Sequence, residues 1–340
     1  MKMRFRFWVG VSLILVYGVI AAGAIVRMTG SGMGCPDWPK CFGYLIPPTE
    51  RSQLDWKPQH AYQKGQVIIV EESLRVAKED FSSDLDYTEN NWEPYTKHDY
   101  ALFNPFHTWV EFLNRLLGAL SGLATLVVGV LAFRYRKERP LILLCSWLVI
   151  FGMGFQAWLG KTVVDSNLLP FKISLHMGMA LVIVALLLYL YFISKTEKTE
   201  SKPAKKLNQL GIALLVLTLI QIALGTQVRQ YIDEQVHLAI AKDLWLNPAP
   251  FKFYFHRSFS LIITALNVYL WWKLKTIPYL LKYYSPVLYL IGMEILSGIA
   301  MYYFDFPFAS QPIHLLIASL LFGAQAYYLL HAYYTEKNTL

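Results

Sequence analysis

Five residues with chemical potential share one helical face: His107, Glu111, Asn114, Arg115 and Gly118 fall at i, i+4, i+7, i+8 and i+11. Together they offer an imidazole, an acid and a guanidinium at the mouth of an apolar stretch. From Leu116 to Phe133 the chain carries no charge. That reads as a membrane helix whose polar stripe faces a protein interior or a cofactor rather than lipid. Three further histidines, His176, His256 and His314, stand near the starts of other apolar runs, and Arg27, Arg229 and Arg257 lie close to run ends.

The elements that must position these groups are membrane helices. The chain has 340 residues, 55% hydrophobic and 15% aromatic, with a mean hydropathy of +0.37, too apolar for an ordinary soluble domain. Uncharged runs at Phe7 to Val26, Leu116 to Phe133, Leu141 to Gly160, Ile173 to Ser194 and Leu210 to Val228 each approach the ~20 residues that span a bilayer. Phe253 to Trp272, Tyr283 to Phe304 (broken by Glu294) and Pro312 to Tyr334 bring the count to eight. Lys and Arg cluster at the N-terminus, at Arg134 to Arg139, Lys195 to Lys206 and Lys273 to Lys282, and near Lys337. With eight spans all of these fall on one side, the cytoplasmic one. The expected topology is a multi-pass cell-membrane protein with both termini cytoplasmic and no removable signal peptide. The net charge of +8 then reflects topology and not nucleic-acid binding.

An internal repeat organises the spans. Asn114-Arg115 has a counterpart in His256-Arg257, His176 in His314, and Gln156 in Glu294, at nearly one offset; Arg27 pairs with Arg229 at an offset larger by about the length of the outer loop. The expected fold is an all-α integral membrane protein of eight transmembrane helices in two pseudo-symmetric four-helix bundles. Residues 1–194 form the N-terminal bundle, including an extracytoplasmic loop at 28–106. Residues 195–207 are a cytoplasmic linker, and 208–340 the C-terminal bundle. Within the loop, Val67 to Phe81 looks amphipathic, and His60 and His98 read as surface histidines.

In this topology His107, His176, His256 and His314 all lie toward the outer face. Two histidines on separate helices at one depth are what bis-imidazole haem ligation requires, and His256 with His314 meets that demand. Arg229 and Arg257, at the same level, suit haem propionates. The first bundle has His176 but carries Asn114 where the second has His256. Asparagine is a poor iron ligand, so the first bundle either takes His107, two turns further out, as second axial ligand or leaves an open or weak sixth site; the asymmetry suggests that one site holds a permanent cofactor and the other a substrate. Glu111, beside the substrate site, is an acid for moving protons or stabilising positive charge; a plain ion pair with Arg115 one turn away is the alternative. Glu294, mid-span, is paired or protonated, either in a proton relay or in a hydrogen bond between bundles. Cys35 and Cys41 permit a tight disulfide loop on the oxidising face, with two free thiols or a metal pair as alternatives; Cys145 packs in a helix.

RMTGSGMGCPDWPKCFG (Arg27 to Gly43), the ExxNR form of an ExxHR motif (Glu111 to Arg115), His176, FHRSF around His256 and QPIHL around His314 resemble the haem A synthase family, membrane oxidoreductases that convert a methyl group of haem O to a formyl. The resemblance spans the chain except Glu50 to Tyr100. It implies haem b on His256 and His314, haem O as substrate near His176, Glu111 at the family's essential glutamate, and Cys35 and Cys41 at an outer-loop cysteine pair. The implied reaction is two successive hydroxylations with electrons passing through haem b. Cofactor-binding candidates are Arg27, Arg115, Arg229, Arg257 and Asn114. The departure is Asn114, where the family has histidine, and His107 on the same face is the candidate replacement ligand. Expected partners are haem O, a haem O synthase (farnesyltransferase), cytochrome oxidase assembly factors and the lipid bilayer. A non-catalytic di-haem b-type electron carrier is the competing reading. A repeat-built transporter is a third, disfavoured by the lack of Gly or Pro breaks at mid-membrane in both halves.

Overall fold

Proline punctuation sets much of the helical architecture. In a computed structural model describing residues 2–96, 103–194 and 205–337, Pro105, Pro140, Pro170 and Pro278 each open a long helix, where a missing N–H costs nothing and φ is already helical. The helices are α1 (Lys2–Met28), α2 (Pro105–Ala132), α3 (Pro140–Asp165), α4 (Pro170–Ile193), α5 (Lys205–His237), α6 (Phe251–Leu274), α7 (Pro278–Tyr303) and α8 (Ser310–Lys337). Asn104 caps α2, its Oδ1 accepting from the N–H groups of Phe106 (3.0 Å) and His107 (3.3 Å), which locks the first turn that carries His107. Seven of the eight are long and apolar enough to cross a bilayer. The exception, α6, has membrane length but carries Lys252, His256, Arg257 and Lys273. Helix α5 starts at Lys205, inside the expected linker, whose residues 195–204 lie outside the described ones, as does His98.

Helix α1 packs on α2 and α4, and α3 joins α2 to α4; α5 packs on α6 and α8, and α7 joins α6 to α8. Helix α8 also packs against α1 and α4. Each set of four has its own apolar centre: Val9, Val128, Val149, Val184, Leu187 and Leu190 in the first, Leu214, Leu270, Leu280, Val287 and Leu321 in the second. In the second set a fully buried polar knot pins three helices. Asn267 Oδ1 accepts from the Tyr284 hydroxyl at 2.6 Å and the Gln325 amide at 3.1 Å.

The segment between α1 and α2 departs from the all-helical expectation. Its strands are β1 (Ala61–Tyr62), β2 (Val67–Val70), β3 (Ser73–Ala77), β4 (Phe81–Ser82) and β5 (Trp92–Pro94). They form an antiparallel β1-β4 pair and an antiparallel β2-β3-β5 sheet. The amphipathic-looking stretch from Val67 is a hairpin, with Val70 opposite Ser73. Its two-residue turn needs φ > 0 at both central positions, and Glu71 and Glu72 adopt 48° and 57°. Arg51 holds Glu72 in place at 2.7 Å, and its guanidinium lowers the Glu72 carboxyl below the usual range.

Candidate functional site

Each of the four polar positions implicated by the repeat faces a glycine on the preceding helix. A Cβ at Gly160 would lie 3.3 Å from His176 Cε1, at Gly225 3.2 Å from His256 Cε1, at Gly298 3.8 Å from His314 Cε1, and at Gly23 4.0 Å from Asn114 Oδ1. Glycine there lets a neighbouring backbone approach an imidazole closely; at positions 160 and 225 any side chain would press on the ring. Asn114 therefore occupies, on α2, the same seat that histidine occupies on α4, α6 and α8.

Four residues before three of these glycines stands a second polar group. Gln156 Nε2 donates to the backbone carbonyl of His176 at 3.0 Å, and Gln221 Nε2 donates to that of His256 at 3.0 Å. Gln156 Nε2 also lies 3.4 Å from His176 Nε2. Glu294 instead reaches the ring, its Oε2 standing 3.1 Å from His314 Nδ1. The bond runs from α7 to α8, so Glu294 does not bridge the two sets of helices. The Nδ1 atoms of His176 and His256 and the Oδ1 of Asn114 are buried with no hydrogen-bond partner among the described residues.

Hydroxyl groups stand against the Nδ1 atoms of two histidines. Ser297 Oγ lies 3.0 Å from the Glu294 carbonyl and 2.8 Å from His314 Nδ1. An imidazole that ligates iron through Nε2 carries its proton on Nδ1 and would donate it to such an oxygen. Around His107, Thr29 Oγ1 lies 2.9 Å from Ile25 O and 2.6 Å from Ser31 Oγ, and Ser31 Oγ lies 2.9 Å from His107 Nδ1, two turns before Asn114 on α2.

Glu111 is buried and fully engaged. Its Oε2 accepts from the Cys35 N–H at 2.8 Å and its Oε1 pairs with Arg115, the ion pair that helix spacing offered as the alternative reading. Arg115 also donates to the carbonyls of Asp37 (2.6 Å), Lys40 (3.1 Å) and Cys35 (3.4 Å). The Thr108 hydroxyl adds a bond to Gly34 O at 2.8 Å. Two turns of α2, Thr108 to Arg115, therefore clamp the Cys35–Cys41 loop, whose sulfurs lie at disulfide distance, 2.05 Å. Asp37 closes the loop from inside, accepting from Phe42 N (2.6 Å) and Gly43 N (2.8 Å). Burial raises its carboxyl above the usual range, the two N–H donors and Arg115 offsetting part of that.

The arginines assigned to propionates are placed differently from one another. Arg27 and Arg229 share Asp233, at 2.6 Å and 2.8 Å, and Arg229 also donates to Arg27 O at 3.3 Å, tying α1 to α5. Arg257 is exposed, lies 5.2 Å over the Tyr254 ring and forms no ion pair among the described residues. Sequence reasoning missed Asp233, Gln221, Ser297 and Ser31. The i+4 spacing of Asp233 from Arg229 and the recurrence of Gln or Glu four residues before glycine in α3, α5 and α7 were the available signals.

His256 on α6 and His314 on α8 each lie over a glycine of the preceding helix, and among the described residues no side chain bonds to either Nε2. Two such imidazoles fit the demand of an iron macrocycle for a nitrogen from each side. Fold and site together define a polytopic helical membrane protein, with a small β segment between α1 and α2 and histidines seated against glycines on paired helices. The chain belongs to the COX15-CtaA family of cytochrome oxidase assembly proteins, whose family model matches residues 6–326. Among similar proteins, the heme A synthase of Shewanella oneidensis is 26% identical, over 66% of this chain and 56% of that protein. That of Wolbachia pipientis wMel is 25% identical over 98% of this chain and 93% of its own. That of Listeria welshimeri is 23% identical over 100% and 99%.

Proposed function

We propose that this chain is a haem A synthase, an oxidoreductase that converts a methyl group of haem O to a formyl by two successive hydroxylations, the geminal diol losing water. The carrying observation is the asymmetry of four equivalent seats, three filled by histidine and one by Asn114, each against a glycine. A protein that only carried electrons would need no such exception. In this reading the eight helices form two pseudo-symmetric four-helix bundles with their sites toward the outer face, both termini are cytoplasmic, and the segment between α1 and α2 is extracytoplasmic.

His256 and His314 hold haem b, which supplies one-electron transfer when bound. Arg257, the arginine without an ionic partner among the described residues, neutralises a propionate, and Arg27 and Arg229 do so only by sharing with Asp233. His176 binds the substrate haem O, and His107, its Nδ1 beside Ser31 Oγ at 2.9 Å, is the candidate for the ligand Asn114 cannot supply. The Asn114 amide, with a buried and unpartnered Oδ1, is left to orient a polar group of the substrate. Glu111 supplies negative charge or takes a proton beside the substrate methyl, held in place by the Cys35 N–H and Arg115. A haem O synthase of the farnesyltransferase class and cytochrome oxidase assembly factors are the protein partners. Extraction of haems from the purified protein tests the reading. Haem b with haem O or A is the expected result, whereas haem b alone would return the di-haem carrier.

A further inference from the structure

We propose that Glu294 tunes its neighbour His314 as an iron ligand: the carboxyl, together with Ser297, accepts the Nδ1 proton of the imidazole and lowers the reduction potential of the haem bound at Nε2. The proposal deepens the haem b reading above and rests on it.

Three observations carry it. Ser297 Oγ stands 2.8 Å and Glu294 Oε2 3.1 Å from His314 Nδ1, so an imidazole bound to iron through Nε2, which carries its proton on Nδ1, faces both oxygens as acceptors. The other carboxyl oxygen, Oε1, is buried with no partner among the described residues, which leaves His314 as the carboxyl's side-chain partner. Third, the equivalent positions on α3 and α5 are glutamines that bond to backbone carbonyls, leaving Nδ1 of His176 and His256 without a partner among the described residues. Of the three seated imidazoles, His314 is the one with a described carboxyl oxygen beside its Nδ1.

An imidazole that donates its second N–H to a carboxyl gains imidazolate character and becomes a more basic ligand, which favours ferric over ferrous iron. The low dielectric around a buried pair strengthens the effect. A carboxyl placed there only to pack the helices would hold α7 to α8 without altering the iron.

The test is potentiometric titration of the purified, haem-loaded protein, wild type beside Glu294→Gln and Ser297→Ala, with the low-spin spectrum recorded at each step. Glu294→Gln is expected to keep the bis-histidine spectrum while its midpoint moves to a more positive potential. Ser297→Ala, which leaves the carboxyl in place, should move it the same way by less. An unchanged or more negative midpoint in a variant that retains the spectrum overturns the proposal. If Glu294→Gln fails to hold haem, the Ser297→Ala midpoint decides alone. Failure of the underlying haem b reading looks different, because His314→Ala would then keep a wild-type spectrum.

Discussion

Gln221 on α5 donates its side-chain amide to the backbone carbonyl of His256 on α6 at 3.0 Å, a bond made to the main chain of a candidate ligand and not to its ring. It fixes where the ligand's helix sits without touching the imidazole's electronics. Gln221→Leu is therefore expected to leave the haem b spectrum and potential in place while lowering stability by about 0.5–1.5 kcal/mol. Thermal unfolding followed at the haem band checks the stability loss, and a shifted potential would contradict the unchanged electronics.

If His256 and His314 hold haem b as proposed, His256→Ala and His314→Ala should each abolish the low-spin bis-histidine spectrum, since each would supply one axial nitrogen and the facing glycines offer no substitute donor. A retained spectrum in either variant would remove the assignment.

Glu111 clamps the cysteine loop and, in the proposed function, also acts on the substrate; the two duties can be separated. Glu111→Gln keeps an oxygen for the Cys35 N–H but loses the charge, whereas Glu111→Ala loses both. The catalytic role predicts that both variants hold haem b and stall with haem O or a hydroxylated product, activity falling by roughly 10² to 10³. Chromatography of extracted haems reads the result. Normal haem A from Glu111→Gln would reduce Glu111 to a loop clamp.

Cys35 and Cys41 should resist alkylation in the absence of reductant, as a bridge on an oxidising face would. Labelling of both without reductant would show free thiols.

The legible part of this molecule was the part written along the chain. Long uncharged runs announced the helices, because in lipid the backbone must bond to itself, and Gln156 and Glu294 were visible as counterparts because the repeat keeps their spacing. What the sequence hid lay across helices or against habit. Asp233 is an ordinary surface-looking acid until α5 packs near α1, so Arg27 and Arg229 appeared free for propionates when they are already paired. The β2-β3 hairpin was concealed because its turn is Glu71-Glu72 and not the glycine-containing pair that φ > 0 ordinarily selects. Glu294 was visible as the counterpart of Gln156, but its partner His314, one helix away in the same set of four, could be known only from the packing.

The seating of α8 on α1 and α4, with the Arg27–Asp233–Arg229 clasp beside it, has a consequence for chain connectivity. The two sets of four are joined by faces and charges that belong to the helices themselves, and α5 contributes its clasp residue at the end opposite the linker. Covalent continuity through 195–204 is then dispensable for assembly. Residues 1–194 and 205–340, expressed together as separate polypeptides, should find each other in the bilayer and copurify, and Asp233→Asn should weaken that pairing more than it weakens the intact chain.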